Sequence, residues 1–423
     1  MSEQVIYAAS WLINPGAPPV AGGALLVQNG SIIDTGPLSR LRSTYSAPVF
    51  DYPGCALLPG FVNAHTHLEL THFPSWKLRS SVDYSPRKFT DWIIQLIKIA
   101  RGLTADDYPP SIQEGVRMCL ESGTTAIGEI VTNPALAEQY YNSSLFGRLY
   151  FELLGQESSH FAAKLAAATA VADQGEAQAL LSGLSPHTLY TVGHEFLAAI
   201  RDAAASRSLP LAIHLSESRS EADFIFDGSG DLATDLYPFV GWERFLGHPA
   251  HCSSTELLER HGLLTPTTLA IHCVHVSMAD VRILKSHGVH VVLCPRSNEL
   301  LDVGRAPVAL FKKFGIPLAL GTDSLASNNS LSLWDELRFA LEMFPDDLTE
   351  QDVFRMVTTG GAAALGVSDA CGSLEIGKRA DFQVVGNCDG DESGVFERVM
   401  REGILRELFA GGVRYAGTPP ADV

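Results

Sequence analysis

Five apolar runs in this chain end in side chains that can bind a metal or move a proton. FVNAHTH ends in His65 and His67, LAIHLSE in His214 and Glu217, LAIHC in His272, LCPRSN in Arg296 and Asn298, and LALGTD in Asp323. A buried run that ends in an ionisable group costs desolvation unless that group finds a ligand or a partner. His65 and His67 stand at i and i+2, so on a strand both point to one face while Thr66 points away. Two imidazoles placed like this can chelate one ion. Adding His214 and Asp323 gives three nitrogens and a carboxylate, a set suited to one Zn²⁺, with Fe²⁺ as the alternative. Left open on one side for water, such a site activates water for attack. Glu217, three residues after His214, can carry a proton to a leaving amine or a ring nitrogen. His272 can orient the water. His275 competes for that role, but Cys273 and Val274 already leave the apolar strand. Asp323 can be both ligand and acceptor of the water's proton.

These groups meet only if their runs are parallel strands with C-terminal ends sharing one mouth. Helix-like stretches such as FTDWIIQLIKIARGL and PPSIQEGVRMCLESG alternate with short β-branched runs through the middle of the chain. That alternation implies a parallel sheet. A (β/α)8 barrel carries its active site at the C-terminal face of its strands, so convergence of the ends favours a closed barrel over an open sheet. The two chain ends read differently. GALLVQNGSIIDTG carries a hairpin signal at Asn29-Gly30, and GSLEIGKRADFQVVG and ELFAGGVRYAG are short apolar runs broken by glycine. Neither end has enough strands for a core of its own. The expected organisation is α/β: a barrel over residues 59–371, with a small β-sandwich-like domain built from residues 1–58 and 372–423.

The totals fit this reading. The chain has 423 residues, 46% hydrophobic and 18% charged, enough apolar material for a large core and too little charge for a disordered chain. Thirty Lys+Arg against 48 Asp+Glu leave a net charge of −18, which disfavours a nucleic-acid partner. No run is long enough to span a membrane, and MSEQVIYAAS lacks the pattern of a secretory leader. Seven scattered cysteines, none as C-x-x-C, suit a reduced, cytoplasmic protein. There is no G-x-G-x-x-G and no G-x-x-x-x-G-K-[ST], so no nucleotide-cofactor chemistry is indicated.

With these residues in order, the chain resembles the amidohydrolase superfamily, in its mononuclear branch of ring deaminases and chlorohydrolases. The motifs that carry the resemblance are PGFVNAHTH, HLSES, HCVH, CPRSN, GTDSLASNNSLSLWDELR and the returning GSLEIGKRADFQVV. It spans essentially the whole chain. It implies one metal held by His65, His67, His214 and Asp323, positioning by His272 and Asp323, and protonation of a ring nitrogen by Glu217. It implies a small purine nucleoside as substrate, and a homodimer or larger homo-oligomer. Retention of Glu217 favours deamination over dehalogenation.

HTHLELT, residues 65–71, is similar to the corresponding segment of the aminofutalosine deaminases, whose substrate is an adenosine bearing a carboxyphenyl group. Ring hydrolases acting on adenosylhomocysteine, methylthioadenosine, guanine or triazines stay open beside that reading. A carboxylate tail calls for an arginine. Arg296 or Arg305 is expected to hold it, against the alternative that each pairs with a nearby acid such as Glu299 or Asp302. Arg148 is a reserve candidate for substrate contact. Glu69 is expected either to bind a ribose hydroxyl or to support the metal ligands. His187 in LSPHTLYTV is expected to face the purine or ribose, its alternative being a loop histidine. Trp76 and Trp92 read as core or lid residues. Ser324 and Ser327–Asn329 are expected to shape the loop and cap the helix that follows.

Overall fold

The computed structural model describes residues 4–82, 84–174, 179–388 and 392–416. Its first five strands are β1 (Val5–Leu12), β2 (Val20–Ala21), β3 (Gly23–Gln28), β4 (Ser31–Pro37) and β5 (Val49–Pro59). Eight more follow: β6 (Phe61–Thr66), β7 (Thr124–Val131), β8 (Phe146–Leu153), β9 (Leu180–Pro186), β10 (Leu211–Leu215), β11 (Thr268–His272), β12 (His290–Leu293) and β13 (Leu318–Leu320). The last three are β14 (Phe382–Gly386), β15 (Ile404–Ala410) and β16 (Val413–Ala416).

Strands β6 to β13 pair in sequence order, every neighbour parallel, with helices between them. The runs are apolar or β-branched and almost entirely buried, as expected for strands covered on both faces. Phe151, Leu184, Leu215 and Leu320 share one apolar cluster with Phe311, Leu337 and Phe354 of the outer helices. Between β13 and β6 the closure is a single parallel bridge, Thr66 to Asp323, in which the Asp323 amide donates to the His65 carbonyl at 3.1 Å. The chain is therefore a (β/α)8 barrel whose seam lies at the C-terminal ends of its first and last strands. Gly321 allows that approach: a Cβ there would lie 2.8 Å from both the Cβ and the carbonyl oxygen of His65.

The chain ends contribute one mixed sheet in the order β16-β15-β14-β5-β1-β3-β4, with β2 beside β1. The β3–β4 hairpin turns at Asn29-Gly30, both with positive φ. Only β1 and β5 are parallel neighbours; β14 joins antiparallel to β5, which brings the returning chain onto the strand that leads into the barrel.

Over the barrel mouth, the helix Phe89–Ala100 packs its Phe89 and Trp92 with Leu232, Leu236 and Tyr190. The Trp92 indole donates to the Ala326 carbonyl at 2.9 Å, tying this helix to the loop after β13. Trp76 is buried in a neighbouring cluster. The helix Leu333–Met343 is capped by Ser332, whose hydroxyl accepts from the Asp335 amide. The cap thus falls later than the expected Ser327–Asn329, because the loop serines are engaged at the mouth.

Candidate active site

Five side chains meet at the seam. His65 and His67 come from the end of β6, His214 from β10, His272 from the last residue of β11, and Asp323 from just beyond β13. All are buried. The Nε2 atoms of His67 and His214 are 3.4 Å apart, and Asp323 Oδ1 lies 3.5 Å from His65 Nε2 and 3.6 Å from His67 Nε2. Donor atoms of His65, His67 and Asp323, and likewise of His65, His214 and His272, all fall within 4.8 Å of one another. Tetrahedral Zn²⁺ with bonds of about 2.0–2.2 Å needs donors roughly 3.4 Å apart.

The donors also behave as ligands. Burial drives the His67 imidazole down to about 3 and His214 well below its ordinary value, so both rings are neutral and each offers one lone-pair nitrogen. His65 is completely buried, and neither of its ring nitrogens has a hydrogen-bond partner. An orphaned imidazole of this kind is costly unless a cation satisfies it. His214 Nδ1 contacts the His187 carbonyl at 3.2 Å, which leaves Nε2 as the lone-pair nitrogen facing the cluster. Burial alone would raise Asp323, but the adjacent His65 imidazole and the other nearby imidazoles hold it well below the carboxylate range. The residues present therefore fit a divalent metal. Geometry by itself would also admit His272 among the donors.

The Asp323 carboxylate is oriented from behind: its Oδ2 accepts from Ser297 Oγ at 2.7 Å and from Ser327 Oγ at 2.8 Å, leaving Oδ1 to the histidines. The turn that carries Ser297 also carries Asn298, whose Oδ1 is 2.9 Å from His272 Nδ1. With that oxygen accepting, Nδ1 bears the hydrogen and Nε2 the lone pair. Burial pushes the His272 imidazole down to about 4, and its Nε2 has no hydrogen-bond partner. Glu217 Oε1 lies 3.6 Å from it. Glu217 is 5% exposed, and burial, aided by Asp323 and Glu221, pushes its carboxyl well above the usual range. His275 turns away and donates to the Val303 carbonyl. His272 and Asp323 both adopt positive φ, 70° and 56°, a conformation that L side chains tolerate only where the surroundings impose it.

A cavity of about 330 Å³ opens from this cluster. Its walls include Glu217, Glu69, Glu152, His187 and Lys164, together with the apolar face of the helix Phe89–Ala100. Burial pushes Glu69 up to about 8. His187 contacts Thr191 Oγ1 through Nδ1 at 2.8 Å, and its Nε2 is 3.9 Å from Glu152 Oε1.

The three arginines expected at the substrate lie elsewhere. Arg148 stands near the start of β8, at the opposite end of the barrel, where it donates to the carbonyls of Leu365 and Ser182. The residue of β8 that reaches the cavity is Glu152. Arg296 turns to Asn328, Asn329 and Glu336 and does not line the cavity. Its acidic neighbour is thus Glu336, not Glu299 or Asp302. Arg305 is exposed, outside the cavity wall. Lys164, Ser297 and the buried Glu129–Tyr140 pair behind Leu68 escaped the sequence reading. Ser297 alone had a signal, its place in CPRSN.

The Amidohydrolase family model matches residues 56–413. The 5-methylthioadenosine/S-adenosylhomocysteine deaminase of Desulforudis audaxviator is 34% identical over 380 residues, covering 86% of this chain and 81% of that protein. The aminodeoxyfutalosine deaminase of Deinococcus radiodurans is 29% identical over 353 residues, 81% of each chain. The structure of Helicobacter pylori aminofutalosine deaminase with methylthio-coformycin aligns at a TM-score of 0.85 and 23% identity, covering 97% of this chain and 99% of that one, a likeness of fold. Matched by the family model over most of its length, with the barrel and the buried donor cluster in place, the chain belongs to the amidohydrolase family.

Proposed function

We propose that this hydrolase removes the amino group of an adenine nucleoside by water attack, with aminodeoxyfutalosine as its substrate. The observation that carries the reading is Glu217, a buried carboxyl whose surroundings favour its protonated form, placed beside His272 on the wall of the cavity and next to the donor cluster. Deamination of a purine needs a proton at a ring nitrogen as the oxygen adds to the amino-bearing carbon. It then needs a proton on the departing amine. A protonated buried glutamate can supply the first and relay the second. Zinc deaminases of another fold assign such work to a glutamate that is not a metal ligand.

His65, His67, His214 and Asp323 would hold the metal, with Zn²⁺ suiting three nitrogens and one carboxylate. When bound, the metal supplies a water that is nucleophilic at neutral pH. Asp323, ionised, can accept a proton from that water. His272, with its lone pair on Nε2, can accept a hydrogen bond from it. Glu69 and His187 line the cavity, where they can meet the ribose and the purine. The relatives named for adenine-nucleoside deamination support the reaction class, and the predominantly apolar cavity supports a substrate with a bulky tail.

The test is ammonia release from a panel of adenosine, 5′-deoxyadenosine, methylthioadenosine, adenosylhomocysteine, aminodeoxyfutalosine, guanine and a chlorotriazine. Turnover of adenine nucleosides, highest for aminodeoxyfutalosine, is expected. Glu217→Gln should lower kcat by about 10²–10⁴-fold while metal content stays unchanged. Turnover of the triazine alone would sink the proposal.

A further inference from the structure

The cavity is an acidic and apolar enclosure with one exception. Of the described side chains that line it, Lys164 is the only lysine or arginine. It projects from the helix Ser158–Ala172 and is half-buried, although its neighbours Ala162 and Ala163 are exposed. Among the described residues its ammonium has no hydrogen-bond or ion-pair partner, whereas lysines 88, 312 and 378 each have a carboxylate partner. Glu69 and Glu152 line the same cavity, and neither forms an ion pair with that ammonium. A cation turned into a largely apolar cavity, without an ion pair to the carboxyls that share it, is poised for an anion from outside the chain, where low dielectric strengthens the contact.

The rest of the enclosure says what that anion is attached to. Beyond the donor cluster the wall is built from Phe89, Trp92, Ile97, Leu236 and Trp242. A ribose carrying only a small substituent would leave this surface uncovered; an aromatic tail would bury it. The three arginines that could have competed for an anion are placed outside the cavity.

Resting on the deaminase reading above, we propose that Lys164 determines specificity by binding a single carboxylate at the far end of an apolar, aryl-type tail of the adenine nucleoside. The contact forms a charge-assisted hydrogen bond from Nζ to the carboxylate.

Steady-state kinetics on the full chain tests this with three probes: aminodeoxyfutalosine, its methyl ester and methylthioadenosine. The wild-type chain should prefer the acid over the ester by about 10-fold or more in kcat/KM, the scale of a hydrogen bond to a charged group. Lys164→Met should remove that preference, chiefly by raising KM for the acid, and leave the ester and methylthioadenosine within about twofold of wild type; Lys164→Arg should retain most of it. Equal use of acid and ester by the wild-type chain, which needs no variant to fold, would overturn the assignment alone. So would an equal loss on all three probes in Lys164→Met. No ammonia from any probe would instead overturn the deaminase reading and this proposal with it.

Discussion

At the scale of single residues, the donor set was legible because donor chemistry and strand position coincide: each histidine closes an apolar run, and Asp323 follows one. What the sequence hid was direction. Arg296 and Asn298 share a motif with Ser297, yet only Ser297 and Asn298 face the site, while the arginine turns to Glu336. Lys164 sits within the helix Ser158–Ala172, where nothing in the local sequence marks it as turned to the cavity. The two hydroxyls on Asp323 Oδ2 give a sharp expectation. Removing both, as Ser297→Ala with Ser327→Ala, should weaken metal affinity by about 10–100-fold, the usual effect of losing groups that orient a ligand. Competition with a chelator measures it; unchanged affinity would mean that the backbone alone orients Asp323.

At the scale of elements, the decisive feature is the seam between β6 and β13. The bridge from Thr66 to Asp323 places the H-x-H pair and the aspartate on adjoining strand ends. Gly321 makes that approach sterically allowed. Gly321→Ala should therefore destabilise the fold by about 1–3 kcal/mol, as overpacking does, and loosen metal binding through His65. A thermal melt with and without added Zn²⁺ checks both. A variant as stable as the parent with normal metal content would contradict the close contact. The alternation of strands and helices was readable from periodicity. The seam was not, because closure depends on strand tilt and on which residues meet across it.

At the scale of the whole molecule, an acidic chain buries several carboxyls whose burial favours the protonated form. Burial pushes Glu336 up to about 8 from an ordinary 4.5, while the Arg296 amide and Asn328 pull it down. A folded value above the unfolded one means the folded state holds the proton more tightly. The contribution to stability is complete below about 4.5 and is lost as pH rises through about 8, at most on the order of 1.4 kcal/mol per pH unit. The melting temperature should fall from pH 5 to pH 8.5, and Glu336→Gln should flatten that fall. Identical pH profiles for the two chains would refute the assignment.

The sequence by itself determined the barrel class and marked the histidines, the aspartate and the glutamate that the fold then gathers at one mouth. Parallel strands must bring their C-terminal ends to one face, so residue types at those ends can be read as one site. Only the tertiary structure decided the strand order of the mixed sheet that the chain ends form, that Asp323 turns Oδ1 to the histidines, and that the cation in the cavity is Lys164 rather than an arginine. Those outcomes depend on side-chain direction and on contacts between elements distant in the chain. A local pattern does not encode them, because each is set by packing across the whole barrel.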